Sequence, residues 1–175
     1  NAKQTVFALQ QLEQAGVGLE LVEQPVKSSD IQGLKYITER VNTPIMADES
    51  AFSPKQVIQL LELGAVDIIN IKLMKTGGLS RAIEIANITA QYQAECMIGC
   101  MLEGSIAVAG AAHLASAKAQ QVSKIDLDGP ALGQYDPVQG GVVFNGPQIN
   151  LSDAPGLGIE SINGLELITN GVWPA

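Results

Sequence analysis

The sequence of 175 residues has few cationic, aromatic and sulfur-containing side chains. It has 10 Lys and Arg against 18 Asp and Glu, a formal charge of −8. No basic stripe is therefore available to neutralise phosphates, and neither nucleic acid nor an anionic membrane is an expected partner. No apolar run reaches the roughly 20 residues of a membrane span. The two cysteines form no disulfide framework, so a reducing, cytoplasmic setting is expected.

Apolar residues are plentiful by contrast. They make up 46% of the chain, against 16% charged residues, a balance that excludes intrinsic disorder and allows a sizeable core. Aromatic residues are only 4% of the chain, so a core of Ile, Leu, Val and Ala is predicted. The N-terminus shows neither a starting Met nor a signal-peptide pattern. We expect the chain to begin in the middle of a longer protein.

Five short β-type runs alternate with segments of helical spacing. The runs are residues 19–23, 44–48, 67–72, 95–100 and 124–128. Several are nearly continuous in apolar residues, as parallel strands covered on both faces are. Among the helical segments, one has Ser53 as N-cap, Pro54 at the first position and Gly64 as its stop. This alternation predicts βαβ units and a parallel sheet.

The strand ends recur at regular intervals, and each carries a polar or reactive residue. They are Glu23, Asp48, Lys72, Cys100 and then Asp126 with Asp128. Such regular steps resemble part of a (β/α)₈ barrel, whose functional groups lie at the C-terminal strand ends. A doubly wound sheet is the alternative. No Gly-rich phosphate loop follows the first strand, which disfavours that alternative.

The strand count is too small for a closed barrel, which needs eight strands and typically ~250 residues. Residues 129–175 are rich in Gly and Pro and contain one hairpin pattern, with Asn145-Gly146 as its turn. We therefore predict an α/β chain with a partial (β/α) TIM-type barrel of about five strands in residues 1–128. Residues 129–175 are predicted to form a C-terminal capping tail, packed by Trp173. The first barrel strands are expected upstream.

The residues at three of the strand ends together suggest one catalytic site. Glu23 and Asp48 are hard oxygen ligands at the tips of adjacent predicted strands, and such ligands suit Mg²⁺. Lys72 would face that metal, and a nearby divalent cation can lower the pKa of a lysine into the range of a general base. Each residue alone could simply cap a helix or face solvent. Together they suit removal of a proton next to a carboxylate, with the metal stabilising the enediolate.

The segments around these residues resemble a known family. Residues 22–25 (Val-Glu-Gln-Pro), 47–50 (Ala-Asp-Glu-Ser) and 71–78 (Ile-Lys-Leu-Met-Lys-Thr-Gly-Gly) are similar to the enolase superfamily, in its muconate-lactonizing branch. The resemblance implies that Glu23 and Asp48 are two of three Mg²⁺ ligands and that Lys72 is one of two opposed acid/base lysines. The third ligand, the opposing lysine and an N-terminal capping domain are expected upstream. Lys75 is predicted to be a solvated charge in a loop, or at most a minor support of the site.

A further resemblance concerns the substrate. Residues 125–130 are similar to the Asp-x-Asp segment of dipeptide epimerases. The resemblance implies that Asp126 and Asp128 bind the free ammonium group of an L-Ala-D/L-Glu-type dipeptide. Residues 100–105 resemble the seventh-strand segment of these enzymes, which would place Glu103 at the border of the pocket. A solvated, strand-terminating acidic pair is the alternative for the two aspartates.

Three functions follow as hypotheses. The first is Mg²⁺-dependent epimerisation of a dipeptide by the intact enzyme, with negligible activity and weak Mg²⁺ affinity expected for these 175 residues alone. The second is lactonisation or dehydration, as in muconate cycloisomerase or o-succinylbenzoate synthase. Paired carboxylates disfavour it because they would repel an anionic substrate. The third is a non-catalytic barrel fragment that self-associates through its open sheet edges. A homo-oligomer is an expected assembly.

Overall fold

The chain folds around a parallel sheet followed by two small antiparallel pairs. The computed structural model describes residues 1–164. Its helices are α1 (Ala2–Gln14), α2 (Ile31–Thr38), α3 (Pro54–Glu62), α4 (Leu73–Thr76), α5 (Leu79–Gln91) and α6 (Ser105–Ala117), with a 3₁₀ helix at Gly129–Leu132. Its strands are β1 (Val22–Glu23), β2 (Ile45–Ala47), β3 (Ile68–Lys72), β4 (Glu95–Gly99), β5 (Val122–Asp126), β6 (Val138–Gly140), β7 (Val142–Asn145), β8 (Gln148–Leu151) and β9 (Ile159–Ile162).

The five predicted strands form one sheet in the order β1-β2-β3-β4-β5, and every neighbouring pair is parallel. Sequential order with a helix after each of the first four strands is the arrangement of a (β/α)₈ barrel cut open. The prediction of a partial TIM-type barrel is confirmed. All five strands therefore present their C-terminal ends at the same edge.

The two faces of the sheet differ in what covers them. Ile69 and Ile71 of β3 lie on the face that packs against the helices, in a core cluster that extends from α1 to β7. Within the described part of the chain, the opposite face carries a small cluster of Met46, Ile68 and Met97. A doubly wound sheet has helices on both faces. Among residues 1–164 the helices cover one face, so the doubly wound alternative is wrong.

Local signals in the sequence account for the helix boundaries. Ser53 caps α3, its side chain accepting the N–H of Gln56, and Pro54 follows at the first position. Gly64 lies just past the helix with φ +59°, a conformation that favours glycine. The Ala- and Gly-rich segment 105–117 forms α6, one of three helices of 13 residues. Within residues 1–164, no helix has the length and apolar character needed to cross a membrane.

The tail packs onto the barrel segment through its hairpin. Strands β7 and β8 lie against α6, and Val142 is part of the main core. The predicted hairpin is present, but its loop lies one residue later than predicted. Asn145 pairs with Gln148, so the two loop residues are Gly146 and Pro147. Gly146 supplies the positive φ of +59° that such a loop requires, and Asn145 stays in the ladder. Trp173 lies outside the described residues.

The core on the helix face is expected to dominate stability. Ile69 is fully buried, so Ile69→Ala should lower the free energy of unfolding by about 2–5 kcal/mol through lost burial and the cavity left behind. Val143 is 60% exposed, and Val143→Ala should stay within about 0.5 kcal/mol of the wild type. Urea unfolding of both variants measures the difference. Equal effects would contradict this assignment of the core.

Candidate active site

The ends of β1, β2 and β3 bring three predicted residues together. The Lys72 Nζ lies 2.9 Å from Asp48 Oδ2 and 3.9 Å from Glu23 Oε1. Asp48 is buried, whereas Glu23 is partly exposed. A single ammonium thus stands between two carboxylates. The geometry places all three side chains at one edge of the sheet, as their positions at adjacent strand ends predicted.

A second lysine, Lys75, belongs to the same cluster: of its two predicted roles, the solvated charge is wrong, and support of the site agrees with its contacts. Its side chain is only 3% exposed. Its Nζ donates to Asp48 Oδ1 at 2.5 Å, to the Asp48 carbonyl at 2.7 Å and to the Asn70 carbonyl at 2.7 Å. The expected loop is instead the one-turn helix α4, which begins directly after Lys72 and turns Lys75 inward.

The charges of this cluster shift one another's pKa values. Burial raises the pKa of Asp48, but hydrogen bonds and charges of Lys75 and Lys72 outweigh it and hold that pKa below its ordinary value. Burial also lowers the pKa of Lys72, yet Asp48, Glu23 and Glu49 raise it above the ordinary value. For Lys75 burial dominates, and with the charge of Lys72 it keeps the pKa below the ordinary value despite Asp48 and Glu49.

Asn70 and Gly99 shape the floor of the cluster. Asn70 is buried two residues before Lys72 on the same strand face, and its Nδ2 donates to Glu23 Oε1 at 2.7 Å. Its Oδ1 has no hydrogen-bond partner among residues 1–164. Gly99 is the neighbour of Lys72 on β4. A Cβ at Gly99 would lie 2.6 Å from Asn70 Oδ1 and 3.2 Å from Lys72 Cε, so only glycine leaves room for both side chains.

Gln24 ties the end of β1 to the end of β2. Its backbone has φ +38°, which non-glycine residues rarely adopt. Its amide oxygen accepts the backbone N–H of Asp48 at 2.9 Å and that of Ser50 at 3.2 Å. Its Nε2 donates to Ser50 Oγ at 2.9 Å and to the Val26 carbonyl at 3.1 Å. The Gln24 side chain thereby fixes the main chain of Asp48 relative to Glu23, the residue that precedes Gln24.

The remaining predicted residues form an acidic group after β4 and β5. Asp126 and Asp128 are exposed and line a cleft of about 350 Å³ with Phe144 and Ile149. Glu103 is only 4% exposed, and neither carboxylate oxygen has a hydrogen-bond partner within residues 1–164. Burial raises the pKa of the Cys100 thiol, and the charges of Asp128, Glu103 and Asp126 add to it against a hydrogen bond from Gly129. The Cys100 Sγ lies 3.9 Å from Asp128 Oδ1.

The strand register relates the acidic group to the lysines. Lys72 pairs with Gly99, and Gly99 pairs with Asp126. Residues paired in this way point to the same face of a parallel sheet, so Lys72 and Asp126 face the same side, about 10 Å apart at two strand spacings. The cleft at Asp126 does not itself include Lys72 or Asp48. Gly99 lies between them in the register, and the space above it is occupied by Asn70 and the Lys72 stem.

The carboxylates suit a hard divalent cation as part of its ligand set. Magnesium is commonly held by one or two protein carboxylates, with water and substrate oxygens completing its shell. Glu23 and Asp48 already share one cation, the Lys72 ammonium. No three His, Cys, Asp or Glu side chains converge in a metal-binding group within the described residues. The donors therefore fit Mg²⁺ as two ligands of a site.

Four residues have larger roles in this geometry than the sequence predicted. Asn70 carried a usable signal, because residues two apart on a strand share a face. Lys75 lies three residues after Lys72, one helical turn away, and a helix at that point would have brought it back to the strand end. Gln24 belonged to a recognised segment without an assigned role. For Gly99 no signal existed, because its importance depends on side chains of the neighbouring strand.

The chain is similar to one protein family and to several epimerases. The family described as Enolase C-terminal domain-like matches residues 1–163. An L-Ala-D/L-Glu epimerase of Clostridium acetobutylicum is 52% identical over 161 residues, which is 92% of this chain and 45% of that protein. The structure of a substrate-liganded L-Ala-D/L-Glu epimerase from Bacillus subtilis matches with a TM-score of 0.89 at 42% identity, over 92% of this chain and 45% of that one.

A dipeptide epimerase from Enterococcus faecalis was crystallised with Mg and the dipeptide L-Leu-L-Tyr. It matches with a TM-score of 0.87 at 47% identity, over 91% of this chain and 45% of that chain. The chain thus spans less than half the length of each of these relatives.

The close approach at Gly99 gives a test of the site's packing. Gly99→Ala should lower the free energy of unfolding by about 1–3 kcal/mol, because the new methyl group displaces the buried Asn70 or the Lys72 stem. Gly18 has nothing within 4 Å of its virtual Cβ, so Gly18→Ala should be neutral or stabilising by up to about 1 kcal/mol. Thermal and urea unfolding compare the two. A neutral Gly99→Ala variant would contradict the described contact.

Proposed function

The chain belongs to the Enolase C-terminal domain-like family, and we propose that the protein carrying it is an isomerase that epimerises dipeptides. The reaction removes the proton on the carbon next to the substrate carboxylate and returns a proton on the other face. L-Ala-D/L-Glu epimerases at 52% and 43% identity support this choice of substrate class.

One observation carries the proposal. Lys72 Nζ lies 2.9 Å from Asp48 and 3.9 Å from Glu23, at the ends of three adjacent parallel strands. A lysine at this position can take a proton from a carbon whose carboxylate is held beside it. We propose Lys72 as the acid/base group for one face of that carbon. An epimerase needs a second such group for the opposite face.

Glu23 and Asp48 are proposed as two of the ligands of Mg²⁺. The bound cation would offset the negative charge that develops on the substrate carboxylate when the proton leaves. The residues of this chain supply the rest: Asn70 holds Glu23 through its Nδ2, and Gln24 fixes the main chain of Asp48. The Enterococcus faecalis enzyme crystallised with Mg supports this cofactor.

Asp126 and Asp128, with Glu103, are proposed to hold the free ammonium group of the dipeptide. Asp126 faces the same side of the sheet as Lys72, two strands away, so one small substrate could contact both residues. An anionic substrate of the cycloisomerase type would meet three carboxylates, which is unfavourable.

The role of Lys72 predicts a large loss of turnover. In the complete gene product that carries this chain, Lys72→Met should lower kcat for L-Ala-D/L-Glu interconversion by about 10²–10⁴-fold, because the proton acceptor is gone. Chiral chromatography of the dipeptide after incubation with Mg²⁺ measures it. Lys35, a partly exposed lysine on α2, provides the control Lys35→Met, which should match the wild type. Turnover within threefold in both variants would exclude Lys72 as the base.

The ammonium role predicts a substrate-dependent effect. Asp126→Asn should raise KM for the free dipeptide by about 10–100-fold, the worth of one hydrogen bond to a charged group. An N-acetylated dipeptide has no ammonium, so its turnover, however slow, should be unchanged by the same substitution. Steady-state kinetics with both substrates measure the ratio. Glu20 is exposed elsewhere, and Glu20→Gln serves as the control. Equal losses for both substrates, or none, would contradict the assignment.

A further inference from the structure

We propose that Lys75 is a positioning residue for the cation site: its ammonium holds one carboxylate oxygen of Asp48 and thereby presents the other oxygen to Mg²⁺. The inference rests on the proposed role of Asp48 as a ligand. The two lysines of residues 71–78 then have different roles. Lys72 performs the acid/base chemistry, and Lys75 orients the metal ligand Asp48.

The hydrogen bonds of Lys75 leave it no free proton donor. An ammonium group has three N–H bonds, and the Lys75 Nζ has three acceptors at 2.5 to 2.7 Å. Its side chain is almost fully enclosed. The Phe52 ring centroid lies 5.8 Å from the same nitrogen, within the range of a cation–π contact. Lys75 is therefore a fixed buried cation, and no N–H remains to reach a substrate.

The two oxygens of Asp48 have different partners. Oδ1 accepts from Lys75, whereas Oδ2 accepts from Lys72 at 2.9 Å. Lys75 also binds the main-chain carbonyl of Asp48. A group that contacts both the main chain and one carboxylate oxygen of the same residue restricts rotation of that side chain. Oδ2 is consequently held toward Lys72 and Glu23, on the side where a cation would lie.

The local fold explains how Lys75 reaches this position. Helix α4 is a single turn that starts right after Lys72, and its end is closed by Gly77 with φ +86°. The Thr76 hydroxyl donates to the Lys72 carbonyl at 3.2 Å and supports that turn. One turn brings residue 75 back beneath the end of β3, where the Asn70 carbonyl accepts its third bond. The Lys72 ammonium, by contrast, donates to one acceptor within residues 1–164, Asp48 Oδ2.

Binding of Mg²⁺ to the complete gene product tests the inference by isothermal titration. Loss of a hydrogen-bond partner behind a metal ligand typically weakens affinity 10–100-fold, and Lys75→Met should show such a loss. Asp48→Asn should weaken binding as well. The double variant should bind no more than about twofold more weakly than Asp48→Asn alone, because Lys75 acts through Asp48. Lys35→Met should bind Mg²⁺ as the wild type does.

The outcomes separate the two proposals. If Asp48→Asn weakens Mg²⁺ binding while Lys75→Met binds as tightly as the wild type, the positioning role is overturned and the cation site stands. If Asp48→Asn itself leaves the affinity unchanged, the proposed cation site is wrong. Additive losses in the double variant would also overturn the positioning role.

Lys75→Met removes a buried donor from the Asp48 and Asn70 carbonyl groups and can destabilise the fold, so a second measurement uses the wild-type protein. A crystal structure of the wild-type protein grown with Mg²⁺ should show one Asp48 oxygen on the metal. The other should remain within about 3.2 Å of Lys75 Nζ. Ligation of the metal by both oxygens, or a displaced Lys75, would overturn the inference.

Discussion

The carboxylate of Asp48 is the point on which the rest of the site depends. It is buried at the end of β2, and a charge in that position is stable only with partners that offset its lost hydration. Two lysines supply them, one to each oxygen. Lys75 can do so because α4 is a single turn, and Gln24 holds the main chain of Asp48 from the neighbouring strand. The strained backbone of Gln24 is consistent with that task.

The strand register joins this cluster to the acidic group. Gly99 lies between Lys72 and Asp126 and contributes no side chain, so one end of this face holds the cluster of lysines and carboxylates and the other end holds the acidic group. The proposed dipeptide, with its carboxylate and its ammonium group, would contact both ends. In the arrangement of side chains alone, burial lowers the pKa of Lys72 but its anionic neighbours raise it above the ordinary value. The lowered pKa predicted from the sequence refers to a site that also holds a divalent cation.

The sequence was sufficient for the parts that depend on local periodicity. The strand runs, the Ser53 cap and the regular spacing of strand ends predicted the sheet and placed Glu23, Asp48 and Lys72 at one edge. The sequence did not predict the contacts that a side chain makes with residues of other strands. The main role of Lys75 was not predicted because its acceptors are Asp48, just after β2, and Asn70 on β3. Gly99 had no predicted role because the side chains near it belong to Asn70 and Lys72. The roles of the site residues, the homo-oligomer and the cytoplasmic setting stay predictions.

The central claim is that a proton is removed from the carbon beside the free carboxylate of a dipeptide bound between these two ends. Incubation of L-Ala-L-Glu with the complete gene product and Mg²⁺ in D₂O, followed by proton NMR, tests it most directly. The account predicts that deuterium enters at the α-carbon of the C-terminal Glu and that the α-proton of Ala is retained. Exchange at the Ala α-carbon, or at neither carbon, would contradict it.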